Sequence, residues 1–130
     1  MKYLEMAYRT DKRGRVEHPD GYGKKTGVCG DTVELFIEVE DDNTIRSVKY
    51  DINGCINTNA CANTVAIMSE GKRVEDAWDE ITPESVIEFL QTLPPEDAHC
   101  AELSVGAFYL ALSNFHETKR SPWKKIYGGR

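Results

Sequence analysis

The chain reads as an α+β protein, a small antiparallel sheet of about three strands packed by helices and closed by a long C-terminal helix. Three observations predict it. Apolar and polar residues alternate through residues 32–40 and again through 44–52, the period of half-buried strands. From residue 57 the apolar positions change to helical spacing and keep it to Phe115. The 130 residues, 40% of them hydrophobic, suffice for one modest core. One domain is therefore expected over 1–130, with a basic segment 1–20 and a basic tail 118–130 flanking it.

A short strand over 22–26 can extend the sheet. The first long strand sets Val33, Leu35, Ile37 and Val39 against Glu34, Glu38 and Glu40, with Phe36 the one apolar residue on the polar side. Asp41-Asp42-Asn43 is turn chemistry, and Val48, Tyr50 and Ile52 then share one side of the returning strand, which makes an antiparallel hairpin. Cys61, Val65 and Met68 open the helical region, with Asn57 or Thr58 as N-cap and Gly71 past the last turn. Val74, Ala77, Trp78 and Ile81 predict a short second helix. Thr82-Pro83-Glu84 starts a third, which runs to Leu90. Leu93-Pro94-Pro95 interrupts the helices, and the last one begins near Pro95, with Cys100, Leu103, Ala107 and Leu110 along one face.

The net charge of −6 is unevenly placed. Residues 1–27 hold seven Lys or Arg against four Asp or Glu, residues 28–117 four against eighteen, and residues 118–130 five against none. A body this acidic repels phosphate backbones, which argues against nucleic acid as a partner. Residues 1–20 contain no apolar run, so neither a secretory leader nor a membrane span can be drawn there; a cytoplasmic protein is expected. The tail mixes Trp123 and Tyr127 with Lys124 and Lys125 and reads as a mostly ordered or frayed end.

In a reducing compartment, Cys29, Cys55, Cys61 and Cys100 remain thiols, which points to metal binding. Cys29 lies in the Gly-flanked loop Gly27-Val28-Cys29-Gly30-Asp31, Cys55 follows Gly54 at the strand-to-helix junction, and Cys100 sits in the opening turns of the last helix. Helix starts favour the thiolate that metals require. Asp31 and His99 stand beside these cysteines as oxygen and nitrogen donors. Three thiolates with one such donor suit a zinc ion or a two-iron, two-sulfide cluster. Because a carboxylate is a poorer ligand than a fourth thiolate, such a cluster would be able to leave. Cys61 shares a stripe with Val65 and Met68 and is expected to be buried; His18 and His116 are expected in solvent.

The order Cys29-Gly30-Asp31, Gly54-Cys55 and Leu93-Pro94-Pro95 running into His99-Cys100, on a hairpin followed by helices, resembles the IscU/NifU-like iron-sulfur cluster scaffold family over residues 21–115. The resemblance implies the SufE/NifU-like fold with an exposed site at one tip. It also implies assembly of a transient 2Fe-2S cluster from iron and sulfur delivered by a cysteine desulfurase, followed by transfer to apo-proteins. On it, Cys29, Cys55 and Cys100 match the cysteine ligands, Asp31 the neighbouring carboxylate and His99 the adjacent histidine, with sulfur received at Cys100. Zinc is the alternative occupant, in a structural or regulatory module. The chain departs from the family pattern where Glu96-Asp97 follows the Leu-Pro-Pro, reversing the charge at which a specialised Hsc-type chaperone docks; handoff of that kind is not expected. Ile56-Asn57 replaces a common Gly-Ser, the usual Asn-Pro-Arg-Asn near the start is missing, and Cys61 is an addition. Monomer and oligomer both stay open.

Overall fold

A computed structural model describes residues 2–28, 30–91, 93 and 98–120. Cys29, the Pro-Pro-Glu-Asp stretch over 94–97 and the aromatic part of the basic tail lie outside the described residues. The order is α1 (Lys2–Tyr8), β1 (Gly21–Thr26), β2 (Thr32–Val39), β3 (Ile45–Asn53), α2 (Ile56–Ser69), α3 (Val74–Glu80), α4 (Pro83–Leu90) and α5 (Ala98–Arg120).

The strands form one antiparallel sheet in the order β1-β2-β3, with Gly23 opposite Leu35 and Leu35 opposite Tyr50. Alternation decides which side faces the helices: Val33, Leu35, Ile37, Ile45, Val48 and Tyr50 are fully buried. Asn43, with φ 69°, turns the hairpin, and the Asp42 side chain accepts the Thr44 N–H at 3.0 Å. Phe36 is buried although it points away from those helices. Tyr22 packs on its ring at 5.2 Å, and the Arg15 guanidinium covers it at 5.1 Å while pairing with Glu34 at 2.5 Å and Asp51 at 3.3 Å. The segment before β1 thus roofs the second face.

Helices α2 and α5 cover the inner face. Gly23 is the point of closest approach between β1 and α5, where an added Cβ would stand 2.1 Å from the Ala107 carbonyl oxygen. Helix α5 buries Cys100, Leu103, Ala107, Phe108, Ala111 and Leu112; Leu110, expected on that stripe, is 46% exposed, because a strict seven-residue repeat drifts around a straight helix. The helix also continues past Phe115, where the apolar pattern stops. Helix α4 starts as expected, with Thr82 and Ser85 capping each other's backbone N–H groups at 2.9 and 3.0 Å and Pro83 in the first turn.

Two further expectations are corrected. Helix α2 begins at Ile56, so its N-cap is Cys55, with extended φ and ψ, and Thr58 falls inside the first turn instead of capping it. The segment 1–20, read only as a basic flank, contains α1 and a strap. Helix α1 buries Met6 and Ala7 in the core and is also held by hydrogen bonds at its C-terminal end. The side-chain amides of Asn59 and Asn63 on α2 donate to the carbonyls of Ala7 and Met6, each at 2.8 Å, and that of Asn63 donates also to Arg9 at 2.6 Å. The Tyr50 hydroxyl donates to Asn59 at 2.7 Å. Residues 12–14 then run beside β3, where the Gly14 N–H reaches the Tyr50 carbonyl at 2.8 Å and Lys12 pairs with Glu70 at 2.5 Å. The middle of the β3 edge is thereby covered.

Candidate functional site

The end of the sheet where β3 gives way to α2 meets the loop before β2 and the start of α5, and the sequence places chemistry at each of these points. In the loop, Gly30 has φ 90° and the Gly27 N–H donates to the Asp31 carbonyl at 2.8 Å, a tight turn that brings Asp31 to the head of β2. Its carboxylate lies over Gly54, where an added Cβ would be 2.7 Å from the carboxyl carbon and from one oxygen. Only glycine leaves that space.

Asp31, Cys55 and Cys100 converge, with one ligand atom of each lying within 4.8 Å of the others. A tetrahedral ion with bonds of about 2.3 Å separates its ligand atoms by roughly 3.8 Å, so a contraction of about an ångström closes the three around one metal. Two thiols and a carboxylate are a donor set that zinc or iron accepts. His99 adjoins the group, its Nε2 at 3.7 Å from the Cys100 sulfur. Cys29 lies outside the described residues, two positions from Asp31.

The two described thiols differ in access. Cys55 is exposed at the helix start and borders a cleft of about 280 Å³ whose far wall is Tyr8, Thr10 and Arg13. Cys100 has no exposed surface, contrary to the accessible sulfur acceptor expected there. It lies on the inward face of α5, beneath the first turn of α2. Cys61 is also fully buried, as expected from its stripe.

At the centre of the group stands Thr58, which the sequence reading treated only as a cap. Its hydroxyl donates to the Asp31 carboxylate at 2.6 Å and lies 3.6 Å from the sulfurs of both Cys55 and Cys100. The available signal was its spacing: three residues after Cys55, it shares the cysteine's side of the helix start. A second cleft, of about 210 Å³, opens beside His99, with Lys25 and Glu102 on its walls.

The profile of the family described as "NifU-like N terminal domain" matches residues 3–121. The chain belongs to this family. Among curated relatives, iron-sulfur cluster assembly scaffold protein IscU of Rickettsia prowazekii is 34% identical over 129 residues, covering 89% of this chain and 97% of that protein. IscU 1 of Archaeoglobus fulgidus is 34% identical over 103 residues, 78% of this chain; the match spans 66% of that protein's length. Among solved structures, the N-terminal part of a nitrogen-fixing NifU-like protein from Brucella abortus superposes with a TM-score of 0.66 at 15% identity, covering 92% of this chain and 93% of that one. A SUF-system protein of Fervidobacterium islandicum AW-1 gives a TM-score of 0.72 at 19% identity over 85% of this chain and 93% of the other. The three-stranded sheet and long last helix of this NifU-like chain are therefore those of NifU-like and SufU folds. Among the described residues, no helix is long and apolar enough to cross a membrane.

Proposed function

We propose that this chain is an assembly scaffold that builds a labile 2Fe-2S cluster and passes it to apo-proteins. One observation carries the reading: the side chains of Asp31, Cys55 and Cys100, from three separate segments, converge on a single point. Scaffold relatives bearing the IscU name, at 34% identity, support it. Cys29, two residues from Asp31, is the proposed third thiolate, and His99 the adjoining nitrogen donor. The proposed partners are a cysteine desulfurase that supplies sulfur and the apo-proteins that take the product.

In this reading the chain is a carrier whose cargo is its substrate, and it performs no turnover of its own. The thiolates bind strongly, and the carboxylate of Asp31 supplies the weaker bond through which the cargo can leave. The cargo itself is a redox-active group whose ferric irons absorb visible light through their sulfides. Exposed Cys55 is the first described thiol that a sulfur donor meets; buried Cys100 would take part only after the first turn of α2 moves aside.

Anaerobic incubation with ferric iron, sulfide and a thiol tests this. The expected result is visible sulfide-to-iron absorption with two irons and two sulfides per site, lost in Cys55→Ser and in Cys100→Ser. Persistent zinc with no such absorption would replace the scaffold with a zinc-holding structural module.

A further inference from the structure

Thr58 is fully buried, yet it belongs to the first turn of α2 and touches every described member of the ligand group. A hydroxyl has one proton. Of the two acceptors that compete for it, the Asp31 carboxylate at 2.6 Å outranks the Cys100 sulfur at 3.6 Å, because a short hydrogen bond to a charged oxygen is roughly twice as strong as a neutral one. The Cys55 sulfur, also at 3.6 Å, is then left facing the hydroxyl's lone pairs.

Asp31 itself stands at a loop end and is partly exposed, so its carboxylate has water to turn toward. Two groups that hold it inward belong to the start of α2: the Thr58 hydroxyl at 2.6 Å and, more weakly, the Cys55 N–H at 3.4 Å. Thr58 is β-branched and sits in a helix, so few rotamers are open to it, and the hydroxyl is a rigid anchor. A carboxylate held through one oxygen keeps a second oxygen and further lone pairs for a metal.

We infer that Thr58 is the positioning residue of this centre, holding the Asp31 carboxylate in the ligand group before any metal arrives. The inference rests on the metal-binding reading above. It predicts that the hydroxyl, and neither the methyl group nor the volume of Thr58, determines how tightly the oxygen ligand binds. Partners of this kind typically govern metal affinity by 10- to 100-fold.

Cobalt(II) is the probe, titrated anaerobically into the reduced full chain and followed by its visible ligand-field bands and its near-ultraviolet thiolate-to-cobalt band. Thr58→Val keeps the shape and removes the hydroxyl, so cobalt affinity should fall about 10- to 100-fold with altered ligand-field bands and an unchanged thiolate band. Thr58→Ser, which keeps the hydroxyl, should restore wild-type binding and spectrum. In an Asp31→Ala background, Thr58→Val should cost nothing further, since the two residues act as a unit. The inference is overturned if Thr58→Val binds cobalt as wild type does, or if it weakens binding equally without Asp31. Should Thr58→Val not fold, the comparison of Thr58→Ser with Thr58→Ala, each with and without Asp31, decides on the same criteria. A wild-type chain that shows no thiolate-to-cobalt band overturns both this inference and the metal-binding reading, whereas a band of equal strength and affinity in both proteins overturns this inference alone.

Discussion

Gly54 and Cys55 carry opposite demands at adjacent positions: the glycine must have no side chain so that the Asp31 carboxylate fits over it, and the cysteine must present its sulfur to the same carboxylate. Gly54→Ala should therefore displace Asp31 and weaken zinc or cobalt binding by about 10-fold or more, with little change in melting temperature because Gly54 is exposed; metal titration beside thermal unfolding checks both. Thiol access gives a second expectation. Under native conditions Cys55 should alkylate rapidly, Cys100 much more slowly because the first turn of α2 must move first, and Cys61 only when the chain unfolds, read by peptide mass mapping. Equal labelling of Cys55 and Cys100 would contradict the burial described for α5. At this scale much was legible in advance. Glycine and aspartate neighbours marked Cys55 and Asp31, and Asp31, Cys55 and Cys100 do meet. The place of Thr58 among the ligand atoms was hidden because one residue type serves equally inside a helix start and as its cap, and only the true start of α2 separates the two. The burial of Cys100 was hidden because helical periodicity gives a face and not what covers it.

Helix α1 shows how an element can depend on residues about fifty positions away. Its last carbonyls are buried and receive the Asn59 and Asn63 amides. The Asn63 amide makes the shortest bonds to the Met6 and Arg9 carbonyls, and Asn59 reaches the same two only at 3.4 and 3.2 Å, so losing Asn63 costs about 0.5–1.5 kcal/mol. Asn63→Ala should lower unfolding free energy by that amount in denaturant titration and raise hydrogen exchange at residues 4–9 selectively. Uniform exchange across the chain would mean that α1 is not the element held. The hairpin and α4 were readable because their signals are local: alternation, turn residues and a Thr-Pro start. Helix α1 was not, since its seven residues are too few for a clear helical period and the Asn59 and Asn63 amides that also hold it do not register in a hydrophobic pattern.

Across the whole molecule, the uneven charge resolves into a network that closes the outer face of the sheet. Arg15, from the basic segment, bridges Glu34 and Asp51 on neighbouring strands and covers Phe36. The Arg15 guanidinium and then the Tyr22 hydroxyl hold the Glu34 carboxyl below the usual glutamate range, against the opposing effect of partial burial. A carboxyl whose folded pKa is depressed binds fewer protons folded than unfolded. Its stabilisation is therefore present above the ordinary glutamate pKa of about 4.3 and is lost as pH falls through the lower folded value. Glu34→Gln should accordingly flatten the loss of stability between about pH 5 and pH 3, measured by unfolding at each pH. Segment charges alone signalled basic ends on an acidic body; which cation covers which strand depends on a register that only the folded sheet supplies.

The proposal turns on a mixed ligand set, thiolates with one carboxylate, that grips its cargo and still lets go. Replacing that single oxygen donor by a sulfur tests it most directly: load wild type and Asp31→Cys with the same cluster and follow its transfer to an apo-ferredoxin by absorption and circular dichroism. Asp31→Cys should hold the cluster more firmly and transfer it more slowly than wild type. Transfer at an equal or faster rate would contradict the proposal.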